Sequence, residues 1–198
     1  MALALIALVA LAVAAVLVLR GRQSAAPLVL ASPRLALLNL AGAPAAPLLV
    51  EDRAALVPLL GPARESDGPP PRCDVLFLYC EIEPDGQVRN SSLGLRELIR
   101  ETGAKIVVVA SENDAARYIL AGRQVGYGRA NLVMTLARNG PAFTRFFRRL
   151  FEKMLAGATM PMAWVQLAPQ APGPPRQDVP STIFACELGQ IVFARRDR

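Results

Sequence analysis

Two almost wholly apolar runs of strand length constrain the fold of this chain more than any other feature. They are Val75–Cys80 and Ile106–Ala110, and the second is rich in β-branched residues. Apolar side chains at nearly every position indicate a strand that is buried on both faces, as the central strands of parallel sheets are. Segments with helical spacing separate the predicted strands. The sequence therefore predicts an α/β fold with a mainly parallel sheet sandwiched by helices.

The longest amphipathic segment is Phe143–Leu155, where apolar residues recur at i, i+3, i+4 and i+7 and basic residues occupy the other face. We predict a helix there, ended by Gly157. Leu35–Leu40 and Asn131–Leu136 are predicted to be further strands. The other predicted helices are Glu51–Leu60, a helix capped by Ser92 that runs to Thr102, and a helix capped by Ser111 that runs to Ala121.

Shorter segments are assigned from local pattern and turn residues alone. We predict a short edge segment at Leu48–Val50, an exposed Pro-rich loop at Arg64–Arg72, a strand at Met162–Leu167, and a terminal hairpin of Thr182–Cys186 with Gln190–Ala194.

Residues 2–19 are an unbroken run of Ala, Leu, Val and Ile, followed by Arg20 and Arg22. As a helix, this run would span about 27 Å, close to the hydrocarbon thickness of a bilayer. We predict a transmembrane signal anchor at 2–19, a linker at 20–27 and an α/β domain at 28–198. Because the basic residues follow the run, the domain is expected on the cytoplasmic side of the cell membrane. The alternative is a cleaved signal peptide, for which Ser24–Ala26 would be the cleavage site.

The chain contains no histidine. This excludes Ser-His-Asp and Cys-His hydrolysis, His-ligated zinc and phosphohistidine relay, because each needs an imidazole. The three cysteines lack the CxxC spacing of a zinc or redox site, and they cannot all pair with one another. We therefore expect neither a metal site nor a cofactor.

Candidate functional residues follow the predicted parallel strands, because ligands of such sheets bind at the carboxyl ends of the strands. Cys80 and Glu81 follow one strand and are the candidate catalytic residues. A thiol needs an activating base, and a buried structural cysteine is the simpler interpretation of Cys80. Four polar residues follow the next strand and are candidate ligand-binding residues, although a helix cap and turn would also explain them: Ser111, Glu112, Asn113 and Asp114.

The formal net charge is +6, and nearly all of the basic residues are arginines. A protein that binds nucleic acid would interleave its basic face with exposed aromatic residues. In Phe143–Leu155 the aromatic residues lie on the face opposite the charges. We therefore expect no nucleic-acid partner, and some attraction to anionic lipid headgroups.

The order of elements between Arg34 and Val165 resembles the CHAT family of caspase-related cysteine peptidases. Val75–Glu81 stands where that family has the strand with the catalytic cysteine, and Leu37–Gly42 stands where it has a strand ending in His-Gly. Leu48–Asp52 and the helix to Leu60 correspond to the segment between them. Gly103–Val109 and Phe143–Gly157 correspond to a later buried strand and a late helix.

The resemblance places Ala41 where the family has its general-base histidine. It therefore implies that Cys80 is left without its partner, and that the domain is a catalytically inactive pseudo-peptidase that binds another protein at the membrane. Two alternatives are a hydrolase that uses cysteine or carboxylates without histidine, and a sensor of a small molecule or nucleotide at the strand ends.

Overall fold

The computed structural model describes residues 26–85, 87–123, 130–168 and 178–194. The strands are β1 (Leu28–Leu30), β2 (Leu35–Asn39), β3 (Arg64–Ser66), β4 (Val75–Tyr79), β5 (Ile106–Val109), β6 (Asn131–Ala137), β7 (Ser181–Cys186) and β8 (Ile191–Phe193). The α-helices are α1 (Ala46–Leu60), α2 (Leu95–Thr102), α3 (Ala115–Arg123), α4 (Pro141–Leu155) and α5 (Met160–Leu167).

Six strands form one sheet in the order β3-β2-β4-β5-β6-β7, and β1 and β8 form a separate two-stranded sheet. All neighbours in the large sheet are parallel except β6 and β7, which are antiparallel. The register pairs Leu37 of β2 with Phe77 of β4, and Phe77 with Val108 of β5. The prediction of an α/β fold with a mainly parallel sheet is confirmed.

The large sheet is covered on both faces, which explains why its central strands are apolar at nearly every position. One face packs against α1, α4, α5 and the β1–β8 pair, which we call the front layer. The other face packs against α2 and α3, which we call the back layer. Five phenylalanines form linked ring contacts between α4 and the sheet, with Phe77 and Phe147 centroids 5.5 Å apart. The predicted helix at Phe143–Leu155 is confirmed, with its aromatic stripe in the core.

Several predicted boundaries in the first half of the domain are wrong. Leu48–Val50 is not an edge segment but lies in α1, which begins earlier because Pro47 at its first turn suits a helix start. Part of the predicted loop Arg64–Arg72 forms the edge strand β3. Ser92 does not cap α2, which follows Gly94 and runs to Thr102, as predicted, with Gly103 after it in the left-handed region.

Two predictions for the segments after α4 are also wrong. Met162–Leu167 is part of helix α5, and a short apolar run of this kind has no periodicity that separates helix from strand. The last two strands do not form a hairpin: β7 joins β6, whereas β8 pairs with β1. The turn between them is held by Asn131, whose side chain bonds Leu188 and Gly189 and directs the chain to the other sheet.

In the described part of the chain, no helix is both long enough and apolar enough to cross a membrane. The predicted anchor at 2–19 lies outside the described residues.

Candidate functional site

The carboxyl ends of β2, β4, β5 and β6 meet at one edge of the large sheet. There the chain segments that follow the strands are joined by backbone hydrogen bonds. The amide of Ala41 donates to the carbonyl of Tyr79 over 3.0 Å, and the amide of Ala110 donates to the carbonyl of Leu78 over 2.8 Å. Ala41 and Cys80 therefore follow neighbouring, directly paired strands.

A cleft of about 640 Å³ opens at this edge. Both candidate catalytic residues and all four candidate ligand-binding residues line it. One wall is apolar and comes from the turn before α1 and its first turns: Ala41, Pro44, Ala45 and Leu48. The charged residues of the lining are Glu51, Glu81, Glu112, Asp114, Arg117 and Arg138.

The Cys80 side chain is fully buried, with 0% exposure, although the residue lines the cleft. It belongs to the apolar cluster of the back layer, together with Leu78, Ile82 and Tyr118. Burial raises the pKa of the Cys80 thiol to about 12. The thiol is therefore protonated at neutral pH and sealed from solvent, which is the opposite of what a nucleophilic cysteine needs.

Glu81 is half-buried and pairs with two arginines. Its carboxylate accepts a hydrogen bond of 3.1 Å from Arg117 and a second hydrogen bond from Arg89. Arg117 also donates to the carbonyl of Ile82 over 2.8 Å, so it holds α3 against the segment after β4. The Glu81 carboxylate is therefore held in place by two arginine side chains.

The loop 111–114 is organised by Asn113, which is 8% exposed. Its Oδ1 accepts from the amide of Ile82 over 2.8 Å, and its Nδ2 donates to the carbonyl of Cys80 over 3.2 Å. Asn113 therefore positions the segment after β4. Its buried side chain is not free to bind a ligand.

The other members of this loop have separate environments. The carboxylate of Asp114 accepts from the amide of Ala116 over 2.7 Å and caps α3. The prediction that Ser111 caps this helix is therefore wrong. The Ser111 hydroxyl is instead buried and has no hydrogen-bond partner among the described residues. Glu112 is exposed and accepts from the amide of Arg138 over 2.6 Å.

In the described residues, no group of three or more His, Cys, Asp or Glu side chains could hold a metal ion.

Behind the cleft lies a buried polar network that the sequence analysis did not identify. The Arg138 guanidinium makes hydrogen bonds of 3.0 and 3.1 Å to the two carboxylate oxygens of Asp52. Asp52 also accepts from the Tyr79 hydroxyl over 2.8 Å and from Thr144 over 2.9 Å. The guanidinium lies 3.8 Å from the ring centroid of Phe143, which adds a cation–π contact.

Two sequence signals could have revealed this network. Asp52 is the polar member of a helical series whose other positions face the core, namely Leu49, Leu56 and Leu60. Arg138 lies two positions after the predicted strand Asn131–Leu136, at the end of a strand where parallel sheets carry their functional residues. Each signal is weak alone, because a single charged residue at such a position is more often solvent-exposed.

The cleft carries more carboxylates than cations. Within the part of the chain that the structure describes, Glu51, Glu112 and Asp114 have no cationic side chain within 4 Å, whereas Arg117 and Arg138 are both paired with carboxylates. An apolar wall beside unpaired carboxylates suits a lysine or arginine side chain, whose stem is apolar and whose end is charged.

A search for similar proteins found no matching family model, no matching curated protein and no matching solved structure.

Proposed function

We propose that this chain is a membrane-anchored, catalytically inactive domain similar to the CHAT peptidases. We propose that the cleft of this domain binds a basic segment of a partner protein. The observation that carries the proposal is the state of Cys80, a protonated thiol with no solvent-exposed surface. A chain without histidine also lacks the base that would activate it.

The position of Ala41 supports the same interpretation. Ala41 and Cys80 follow directly paired strands and line one cleft, as the resemblance requires of a base and its nucleophile. Alanine has no group that accepts a proton. With alanine at the proposed base position and the thiol turned into the core, the cleft lacks the chemistry of a cysteine peptidase.

The charge of the cleft favours a protein partner over a nucleotide. Phosphate groups are bound in proteins by arginine, lysine and free backbone amides. Here both arginines of the lining are already paired, and the unpaired groups are carboxylates. A basic peptide segment has the charge that this lining lacks, so a binding module is the function that the site supports best.

Alkylation kinetics test the catalytic part of the proposal. The folded protein is treated with iodoacetamide at pH 7, and labelling of each cysteine is followed by mass spectrometry. We expect the exposed Cys186 to react and the buried Cys73 and Cys80 to be protected. All three should react in urea, which controls for peptide detection. Labelling of Cys80 in the folded protein faster than that of free cysteine would contradict the proposal.

Alkaline extraction tests the anchor. Membranes from cells that express the full chain are washed with sodium carbonate at high pH, which releases peripheral proteins. We expect the protein to stay in the membrane pellet, and we expect a Val9→Arg/Val13→Arg variant to be released, because charged residues disrupt an apolar span. Release of the wild-type chain, or a mature chain that lacks residues 2–19, would contradict the anchor.

A further inference from the structure

The exposed apolar side chains of the domain are concentrated on the front layer. Among the described residues, seven large hydrophobic side chains are exposed, and five of them belong to this layer. They lie on β1, α1 and α5 and are Leu28, Val29, Val50, Met162 and Val165. Exposed apolar groups gathered on one side of a domain mark a surface that contacts something else.

The same layer carries a net basic charge. Helix α4 exposes Arg145 and Arg149, and neither has an acidic side chain within 4 Å among the described residues. Its third arginine, Arg148, pairs with Glu152 over 3.0 Å. In the back layer, α2 alternates two arginines with two glutamates, and Arg117 of α3 is paired with Glu81. A surface that combines exposed apolar groups with unpaired arginines is complementary to an anionic lipid interface.

The route of the chain brings this layer close to the proposed anchor. The apolar run ends at residue 19, and β1 begins at Leu28. The linker of residues 20–27 has a maximum reach of about 27 Å. β1 itself pairs with β8, and both pack into the core of the front layer next to α4 and α5. A short tether that enters on this layer keeps it within reach of the bilayer surface.

We propose that the front layer lies on the anionic surface of the membrane, with α4 and α5 in contact with the lipid headgroups. This proposal rests on the membrane anchor of the proposed function. It adds a fixed orientation: the back layer faces away from the bilayer, and the carboxyl edge of the sheet, with its cleft, opens to the side, where a partner can reach it.

Two matched positions for a fluorescent label test the orientation. Val165 of the front layer is 58% exposed and Ile119 of the back layer is 55% exposed. Each is replaced by cysteine in a Cys186→Ser background, labelled with the environment-sensitive dye NBD, and placed as full-length protein in nanodiscs. In nanodiscs containing phosphatidylglycerol we expect a blue-shifted emission from Val165→Cys and none from Ile119→Cys. Equal emission from the two positions would overturn the proposal.

Charge reversal separates docking from anchoring. Arg145→Glu/Arg149→Glu reverses two charges one helical turn apart on the front layer, and Arg96→Glu/Arg100→Glu does the same on the back layer. We expect only the first pair to abolish the blue shift at residue 165. The loss of each arginine should weaken the docking equilibrium by roughly fivefold. Both variants should stay in the carbonate-washed pellet. A blue shift that survives the first pair, or that is unchanged in phosphatidylcholine nanodiscs, would overturn the electrostatic docking and leave the anchor intact. Release of the wild-type chain from the pellet would overturn both.

Discussion

Arg138 and Asp52 form a buried ion pair that joins the end of β6 to helix α1. Both carboxylate oxygens accept from the guanidinium, and the two side chains are 5% and 1% exposed. Arg138 also donates to the carbonyl of Ala110 over 3.0 Å, so three segments of the chain meet at one guanidinium. The pair lies behind the cleft and fixes the relative positions of its apolar wall and its acidic side.

Removing the charge of Asp52 is therefore expected to destabilise the domain strongly. In Asp52→Asn the guanidinium stays buried without its countercharge, and one of the two hydrogen bonds of the bidentate pair is lost. We expect the free energy of unfolding to fall by about 3–5 kcal/mol, as for other broken buried pairs. Urea unfolding followed by circular dichroism measures the change.

An exposed ion pair provides the control for this prediction. Arg53 and Glu65 are 2.9 Å apart, and their side chains are 47% and 40% exposed. Glu65→Gln should cost less than about 1 kcal/mol, because solvent screens the pair. If Asp52→Asn were no more destabilising than Glu65→Gln, the buried pair would have no special role in the fold.

A second prediction concerns Asn113, which holds the segment after β4. Asn113→Ala leaves the buried amide of Ile82 and the carbonyl of Cys80 without these partners. We expect a loss of about 2–3 kcal/mol in the free energy of unfolding, since each unsatisfied buried group costs about 1–3 kcal/mol. We also expect faster alkylation of Cys80 by iodoacetamide in the folded variant, because the segment over the thiol is loosened.

The control for Asn113 is Asn90, which makes one hydrogen bond of 2.9 Å to the carbonyl of Leu40 and has a φ of 62°. Asn90→Gly removes that bond, but glycine tolerates the positive φ, so the cost should stay below about 1 kcal/mol. Protection of Cys80 in Asn113→Ala equal to that in Asn90→Gly would show that Asn113 does not control access to the thiol.

The elements that were predicted correctly are those whose pattern is complete within one segment. The runs that became β2, β4, β5 and β6 are apolar at nearly every position, and α4 repeats its aromatic residues at helical spacing. These patterns arise because a strand is buried on two faces and a helix on one. Such elements can therefore be recognised without knowing which element packs against them. The candidate residues at the strand ends line one cleft for the same reason: parallel strands bring their carboxyl ends together.

The features that were missed depend on contacts between distant segments. Asp52 and Arg138 are 86 positions apart, and the residues around each of them do not indicate that the two side chains pair. The last strand, β8, was predicted, but its pairing was wrong because its partner is β1, at the other end of the domain. The orientation of Cys80 into the back layer depends on the register of the sheet, which the sequence alone does not set.

A third prediction follows from the buried thiols. Burial raises the pKa of both Cys73 and Cys80 from 9.0 to about 12. Because the pKa of each thiol is higher in the folded protein than in the unfolded chain, each protonated thiol stabilises the fold. This contribution to the free energy of unfolding is complete below pH 9 and is lost as the pH rises toward 12. Each thiol should cost about 1 kcal/mol per pH unit in this range.

Urea unfolding between pH 8 and pH 11 measures this slope. We expect Cys80→Ala to reduce the loss of stability with rising pH, and Cys186→Ala, at an exposed site, to reduce it less, although burial also raises the pKa of the Cys186 thiol. Burial and Asp52 also raise the pKa of Tyr79, which adds to the loss above pH 10 in every variant. A slope in Cys80→Ala equal to that of the wild type would show that this thiol ionises as easily in the folded protein as in the unfolded chain.

A fourth prediction tests the charge selectivity of the cleft. The probe is a fluorescein-labelled peptide, Ala-Arg-Ala-Arg-Ala, and its control carries citrulline in place of arginine, which has nearly the same shape without the charge. Measured by fluorescence anisotropy, the arginine peptide should bind more tightly, and the difference should shrink as salt is added.

Glu112→Gln then assigns this selectivity to the cleft. Glutamine can still accept the hydrogen bond from the Arg138 amide, so the loop keeps its geometry while one charge is removed. Binding of the arginine peptide should weaken by roughly two- to fivefold, the range expected for one partly exposed ion pair. Asp67→Asn, at an exposed residue outside the cleft, should leave the affinity unchanged. Equal affinity for the two peptides, or equal effects of the two substitutions, would mean that the carboxylates of the cleft do not select its partner.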